Sequence, residues 1–260
     1  MNIFGHIQPL VYHRVCPDRE SFRSTYVVSV SDFRRQMEFL VAHGYECVTL
    51  QDLLGGSPGS NGRPRVLLTF DDGYLDNYTH AFPILRDLGL PAIVFLVADF
   101  SRRTNWWDVP MGVPEARLLE PEHIRAMAEG AVEFGSHTMR HSSLPSLSDR
   151  ELTEELVRSR ELIEVAAGRP VRALSYPYSH VDARVKRAAR GTGYSCAFAV
   201  NGGPLRAEAD LWEIRRVNVT AGARGLMLEA KVSGVEKLGL WAWWYSRNRL
   251  RPRYEIRRGF

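Results

Sequence analysis

A chain of 260 residues with 45% hydrophobic content is long enough to enclose a sizeable core, and one large α/β domain is a better expectation than two small ones. Its net charge of +4 gathers at the end, where the last fifteen residues hold six arginines and one glutamate; the rest is near balance, and no nucleic-acid-binding module accompanies the charge. The three scattered cysteines, Cys16, Cys47 and Cys196, exclude a disulfide framework or a CxxC zinc ribbon, and no run approaches the roughly 18 apolar residues of a membrane span.

Along the chain, apolar runs of strand length alternate with helix-like segments, the pattern of a parallel sheet or barrel with crossover helices. The N-terminal stretch lacks the basic start and apolar run of a secretory leader, so a cytoplasmic location is expected. The first strand is expected over 10–13 and the first helix over 31–43. A Gly/Ser/Pro loop at 55–62 leads into a strand over 66–70 that ends in Thr69-Phe70-Asp71-Asp72-Gly73-Tyr74. A helix over 78–88 and a strand over 92–97 follow, then a loop carrying Trp106, Trp107 and Asp108 and a helix over 121–128. The strand over 132–135 runs into His137-Thr138-Met139-Arg140-His141. The helix over 149–167 has the clearest limits, with Ser148 and Glu151 as a capping box, an apolar stripe through Leu152, Leu156, Ile163 and Ala166, and Gly168 as its stop. Next come a strand over 173–177 leading to Tyr178, a helix over 182–190 and strands over 195–200 and 213–219. Residues 1–225 are expected to form the barrel domain and 226–260 an aromatic, arginine-rich tail.

The prominent polar residues sit just after strand ends, the face on which such barrels assemble catalysis. Adjacent carboxylates repel and gain no packing, so Asp71-Asp72 calls for a positive partner. One could bind a divalent cation while the other takes a proton from water; an Asp-Gly turn closing a strand is the plainer reading. His137 and His141 are four apart, a spacing that puts both on one side of a helical turn. With Asp72 they make a His₂Asp set with positions left for water and substrate. Exposed indoles at Trp106 and Trp107 could stack on a sugar ring, although aromatic pairs are more often packing.

These motifs resemble those of the polysaccharide deacetylases, carbohydrate esterase family 4 or the NodB-homology family. Thr-Phe-Asp-Asp-Gly is similar to its first motif and His-Thr-Met-Arg-His to its second. The resemblance implies a distorted (β/α) barrel of about seven parallel strands, with Asp71 as general base and Asp72, His137 and His141 as metal ligands. It implies a divalent ion, Zn²⁺ first, with Co²⁺ or Ni²⁺ as alternatives. Ser175-Tyr176-Pro177-Tyr178-Ser179 is similar to the third motif, where the Tyr178 N–H would hold the oxyanion, but Ser175 stands in place of the arginine that orients the base and Ser179 in place of a glycine. No histidine follows His180, so the late general-acid histidine is missing. The chain is similar in this to the poly-N-acetylglucosamine deacetylase branch, in which an early Tyr-His takes that role; Tyr12-His13 matches, making His13 the implied acid. An arginine near the last strand recurs in that branch, and Arg216 is the counterpart, as a replacement orienting group or a plain salt bridge.

The expected function is metal-dependent hydrolysis of an N-acetyl group from a sugar, oligosaccharide or lipid-linked glycan precursor. The rivals are hydrolysis of a non-sugar amide on the same fold and a catalytically silent carbohydrate-binding barrel. The tail, with Trp241, Trp243 and Trp244 before Arg247, Arg249, Arg251 and Arg253, suits peripheral contact with an anionic inner-membrane surface, or a terminal helix docked on the barrel. No nucleic-acid partner is expected.

Overall fold

The computed structural model describes residues 7–17, 26–56, 63–200, 210–221, 223 and 225–232. In chain order the elements are β1 (Ile7–Tyr12), β2 (Arg14–Cys16), β3 (Val27–Ser29), α1 (Val30–Ala42), β4 (Glu46–Cys47), β5 (Arg65–Phe70), α2 (Phe82–Leu88), β6 (Ala92–Leu96) and α3 (Pro121–Ala128). They continue with β7 (Val132–Ser136), α4 (Asp149–Ala167), β8 (Ala173–Ser175), α5 (Ala183–Gly191), β9 (Cys196–Val200), β10 (Ile214–Asn218) and α6 (Leu226–Val232). Seven strands in the spatial order β1-β10-β9-β8-β7-β6-β5 form an all-parallel barrel, closed because β1 pairs with both β10 and β5. The expected seven-stranded (β/α) barrel is therefore the observed one. The two residues of β4 pair with the start of β5, outside the ring.

Period-two alternation divides each strand between two cores. Leu67, Ile93, Phe95, Ala173, Cys196, Phe198 and Ile214 pack together inside the barrel. Their neighbours Val66, Leu68, Val94, Leu174 and Ala197 belong to the larger core that includes residues of the surrounding helices. Gly135 is required by this packing, since a Cβ there would lie 2.4 Å from the Phe95 ring and 3.0 Å from the Ala173 carbonyl. Two residues beyond Leu67, Ala173 and Ile214, the same inward register carries Thr69, Ser175 and Arg216 toward the carboxyl ends of their strands.

The helix α4 starts and stops as expected: the Ser148–Glu151 capping box is formed and Gly168 ends it at φ +65°. The helix expected over 78–88 is instead a π turn over Asn77–Ala81 followed by α2. Pro83 has no N–H to return to the preceding turn, and the Phe82 N–H bonds to the Asn77 carbonyl five residues back. The strand expected over 173–177 stops at Ser175, where Pro177 and two left-handed residues, Tyr178 and Ser179, turn the chain away. The pairing of β2 with β3 has no counterpart among the expected elements. Helix α6 opens the expected tail and buries Leu228 and Val232 in the main core. Residues 233–260, with the Trp/Arg cluster proposed for membrane contact, lie outside the described residues, as do residues 57–62 of the expected loop.

Candidate active site

Strand β5 delivers Phe70 to the end of the barrel, and the next residues turn sharply, with Asp72 at φ +72° and Gly73 at φ +71°. Gly73 cannot carry a side chain, because a Cβ would meet Leu96 Cδ2 at 2.6 Å. Asp71 is buried and faces Arg216 of β10. The guanidinium donates to both carboxylate oxygens, Nη1 to Oδ1 at 2.7 Å and Nη2 to Oδ2 at 2.7 Å, and also to Thr69 Oγ1 at 3.0 Å and Ser175 Oγ at 2.7 Å. Its plane lies over the rings of Phe95 and Phe198, 5.3 and 5.6 Å from their centroids. Burial raises the Asp71 carboxyl, but Arg216, with His137, outweighs it and holds Asp71 below the ordinary carboxylate range. Ser175, which stands where the resemblance expects an arginine, accepts from Arg216 and donates to Asp71 Oδ2 at 3.3 Å.

Asp72 faces the two histidines. Its Oδ1 is 3.4 Å from His137 Nε2 and 3.4 Å from His141 Nε2, and all three potential ligand atoms lie within 4.8 Å of one another. That buried oxygen has no hydrogen-bond partner. Bonds of about 2.05 Å to a tetrahedral ion would separate ligand atoms by about 3.3 Å, so these residues fit a divalent cation. His137 Nδ1 meets the Ser175 carbonyl at 2.8 Å, which turns Nε2 toward Asp72. Burial opposes ionisation of Asp72, but the facing imidazoles hold its carboxyl well below the usual range. Burial lowers both imidazoles; the carboxylates reverse this for His137, whose pKa is raised, and not for His141, whose pKa is lowered.

The expected helical turn between the histidines is absent. Residues 137–141 form an irregular loop with Thr138 at φ +68° and His141 at φ +58°, and these left-handed residues fold His141 back onto His137, ring centroids 4.8 Å apart. All five non-glycine residues with positive φ among the described residues, Asp72, Thr138, His141, Tyr178 and Ser179, lie in the loops of this site. At Ser179 the hydroxyl accepts the Val200 N–H at 2.6 Å, which anchors a conformation that glycine adopts at no cost.

His13 follows β1 on the same face. Its carbonyl accepts from Asn77 Nδ2 at 2.8 Å, its ring lies 4.6 Å from Tyr26, and its buried Nδ1 has no hydrogen-bond partner. Burial lowers its pKa against the opposing pull of Asp72 and Asp71, and it also senses Arg216 and His137. Tyr178 is half exposed, its ring edge-on to His141 at 4.6 Å. Trp107 is not an exposed platform: its half-buried indole stacks on His141 at 4.7 Å and 17°. Trp106 packs edge-on against it at 4.8 Å.

A family profile described as polysaccharide deacetylase matches residues 59–197, which include every residue of the Asp72/His137/His141 cluster. The chain belongs to the polysaccharide deacetylase family. The expected N-deacetylase class stands with it. Among curated relatives, YxkH of Bacillus subtilis, named for polysaccharide deacetylation, is 25% identical over 229 residues, 87% of this chain and 76% of that protein. The poly-β-1,6-N-acetyl-D-glucosamine N-deacetylase of Staphylococcus epidermidis is 25% identical over 208 residues, 76% of this chain and 70% of the relative. The solved structure of IcaB from Ammonifex degensii superposes with a TM-score of 0.70 at 28% identity, covering 88% of this chain and 97% of that one.

One supporting residue of the deacetylase escapes sequence reasoning. Glu155 of α4 is buried, and its Oε2 accepts the Met139 and Arg140 N–H groups at 2.9 and 3.0 Å, holding the loop between the two histidines. The one signal in the sequence is a carboxylate beside Leu152 and Leu156 on the apolar stripe. Replacing it by alanine strands two backbone donors and loosens the His137–His141 loop. Glu155→Ala is expected to weaken zinc affinity by about 10–100-fold, read by competition with a chromophoric chelator. Unchanged affinity would show that the loop holds its shape without this carboxylate.

Proposed function

We propose that this deacetylase hydrolyses the N-acetyl group of an N-acetylated glycan and depends on a divalent cation held by Asp72, His137 and His141. The observation that carries the reading is the buried, unpartnered Asp72 Oδ1 at 3.4 Å from two imidazole nitrogens, next to a second carboxylate whose charge is matched by Arg216. The substrate class is supported by the Staphylococcus epidermidis relative, whose name specifies poly-N-acetylglucosamine.

A cation in this position supplies Lewis acidity toward the acetyl carbonyl and makes water easier to deprotonate. Asp71 is the group that takes the proton from the attacking water. Arg216 keeps it ionised and, by its two-pronged contact, fixes the direction of its lone pairs. The Tyr178 N–H donates to the oxygen on which negative charge develops. His13 gives its proton to the departing nitrogen, so that amide and water become acetate and a free amine. Arg216 also takes the place of the family's missing orienting arginine, whose loss, with that of the late histidine, is what motivates the silent binding barrel.

The test is acetate release from β-1,6-linked N-acetylglucosamine oligomers by protein stripped with chelator and then restored with zinc, cobalt or nickel. The stripped protein should run at less than about one tenth of the restored rate, as expected when ligand loss removes the Lewis acid. Full activity after stripping would refute metal dependence, and cleavage of small amides without any action on the oligomers would favour the non-sugar reading.

A further inference from the structure

We propose that Asn77, together with Asp76, is a positioning residue for the proton donor: the two side chains hold residues 13–16 so that His13 is in place to protonate the departing nitrogen. The inference rests on the acid role proposed for His13 above and names what aims it.

Sheet pairing alone does not reach His13. The parallel register of β1 with β5 runs from Ile7 opposite Arg65 to Tyr12 opposite Phe70, and the Asp71 N–H adds a last rung by donating to the Tyr12 carbonyl at 3.0 Å. His13 is the next residue, outside the strand. Its ring has no hydrogen bond at Nδ1 and packs on Tyr26, so its aim depends on where the backbone puts it.

Beyond the ladder, side chains take over from strand pairing. Buried Asn77 donates from Nδ2 to the His13 carbonyl at 2.8 Å. Asp76 gathers the three residues that follow His13: its Oδ2 accepts from Arg14 Nε at 2.8 Å and Cys16 Sγ at 3.5 Å, and its Oδ1 from the Val15 N–H at 3.1 Å. Asn77 Nδ2 also donates to Asp76 Oδ1 at 3.3 Å, which joins these contacts into one clamp. The clamp is tied to the catalytic turn, since the Asn77 N–H bonds to the Tyr74 carbonyl at 3.0 Å and the Arg14 guanidinium lies 5.3 Å from the centre of the Tyr74 ring. The single segment from Asp71 to Asn77 therefore carries the proposed base, a metal ligand and the hold on the acid.

Stability of the fold does not by itself account for Asn77. Its Oδ1 is buried with no hydrogen-bond partner, and an unmet buried acceptor costs free energy that an apolar side chain of similar size avoids. What the amide adds and leucine lacks is the donor directed at the His13 carbonyl. A proton donor is sensitive to such a contact, because a displacement of about 1 Å can cost about 10²-fold in rate.

The experiment measures kcat on an N-acetylglucosamine oligomer and on 4-nitrophenyl acetate, with zinc affinity in parallel, for wild type, Asn77→Leu, His13→Ala and the double variant. Asn77→Leu keeps the bulk and removes the donor. It is expected to lower kcat on the oligomer by about 10–100-fold, as a displaced catalytic group does, with KM and zinc affinity nearly unchanged. On 4-nitrophenyl acetate, whose leaving group needs no proton, it should lose no more than His13→Ala does. In the His13→Ala background the same substitution should add less than about a further twofold loss, because residues acting through one group are not additive. Asp76→Ala, alone and with His13→Ala, repeats the test through the other half of the clamp. Losses that multiply in the double variants would overturn the assignment, as would an unchanged oligomer kcat or weakened zinc binding in both single variants. His13→Ala losing equally on both substrates would instead remove the acid role, and the positioning role with it.

Discussion

Arg216→Met is expected to lower the free energy of unfolding by about 3–5 kcal/mol in chemical denaturation and to remove nearly all acetate release. Asp71 and Arg216 have side chains exposed by only 3% and 0%, and the substitution leaves the carboxylate buried without its counter-charge. Burial then acts unopposed by the guanidinium, so the Asp71 pKa rises from its present position below the ordinary range. The sign for stability follows. In the wild type the ionised pair contributes above the ordinary carboxylate pKa, and that contribution is lost as pH falls through the lowered native value. In the variant this contribution disappears and the acidic limb of the pH–rate profile moves to higher pH. Asp71→Asn alone should be destabilising too, because the guanidinium is then unpaired. Asp71→Asn combined with Arg216→Met should recover much of the stability and none of the activity, separating support of the fold from support of the base. An Arg216→Met protein with wild-type stability and an unmoved acidic limb would reduce the pair to a bystander.

His13→Ala is expected to reduce kcat on an N-acetylated sugar by about 10²–10⁴-fold, the usual range for a lost general acid. A sugar amine is a poor leaving group and needs its proton, whereas 4-nitrophenolate does not. The same variant should therefore keep most of its activity on 4-nitrophenyl acetate. Equal losses on both substrates would show that His13 supports the geometry of the mouth, for instance through its ring contact with Tyr26 at 4.6 Å, and does not donate a proton.

The barrel is legible in the sequence because its strands bury both faces and so read as continuous apolar runs, such as Val66 to Phe70 and Ala92 to Leu96. Elements of two or three residues, such as β2, β3 and β4, are too short to show any period and escape such a reading. The partners of the site are legible by residue type, since two carboxylates and two histidines just after strand ends gain nothing from packing there. Their local geometry is not. Spacing alone cannot reveal that His141 returns to His137 through residues at positive φ, because that conformation is stabilised by contacts distant in sequence, including Glu155. Ser175 reads in the sequence as the loss of an arginine. Only the barrel register shows that β10 carries Arg216 to a point 2.7 Å from the Ser175 hydroxyl.

The closure of the barrel through β1 also sets an order of events during synthesis. Strand β1 pairs with β5 early in the chain, but its other edge waits for β10, more than two hundred residues later. A nascent chain that has emitted β1 through β9 still has open strand edges and a buried-to-be Asp71 with no guanidinium, and contacts of such long sequence separation form slowly. The last strand to arrive both seals the barrel and brings Arg216 to the general base proposed for this enzyme, so catalytic competence is acquired in the same step as closure and not before it.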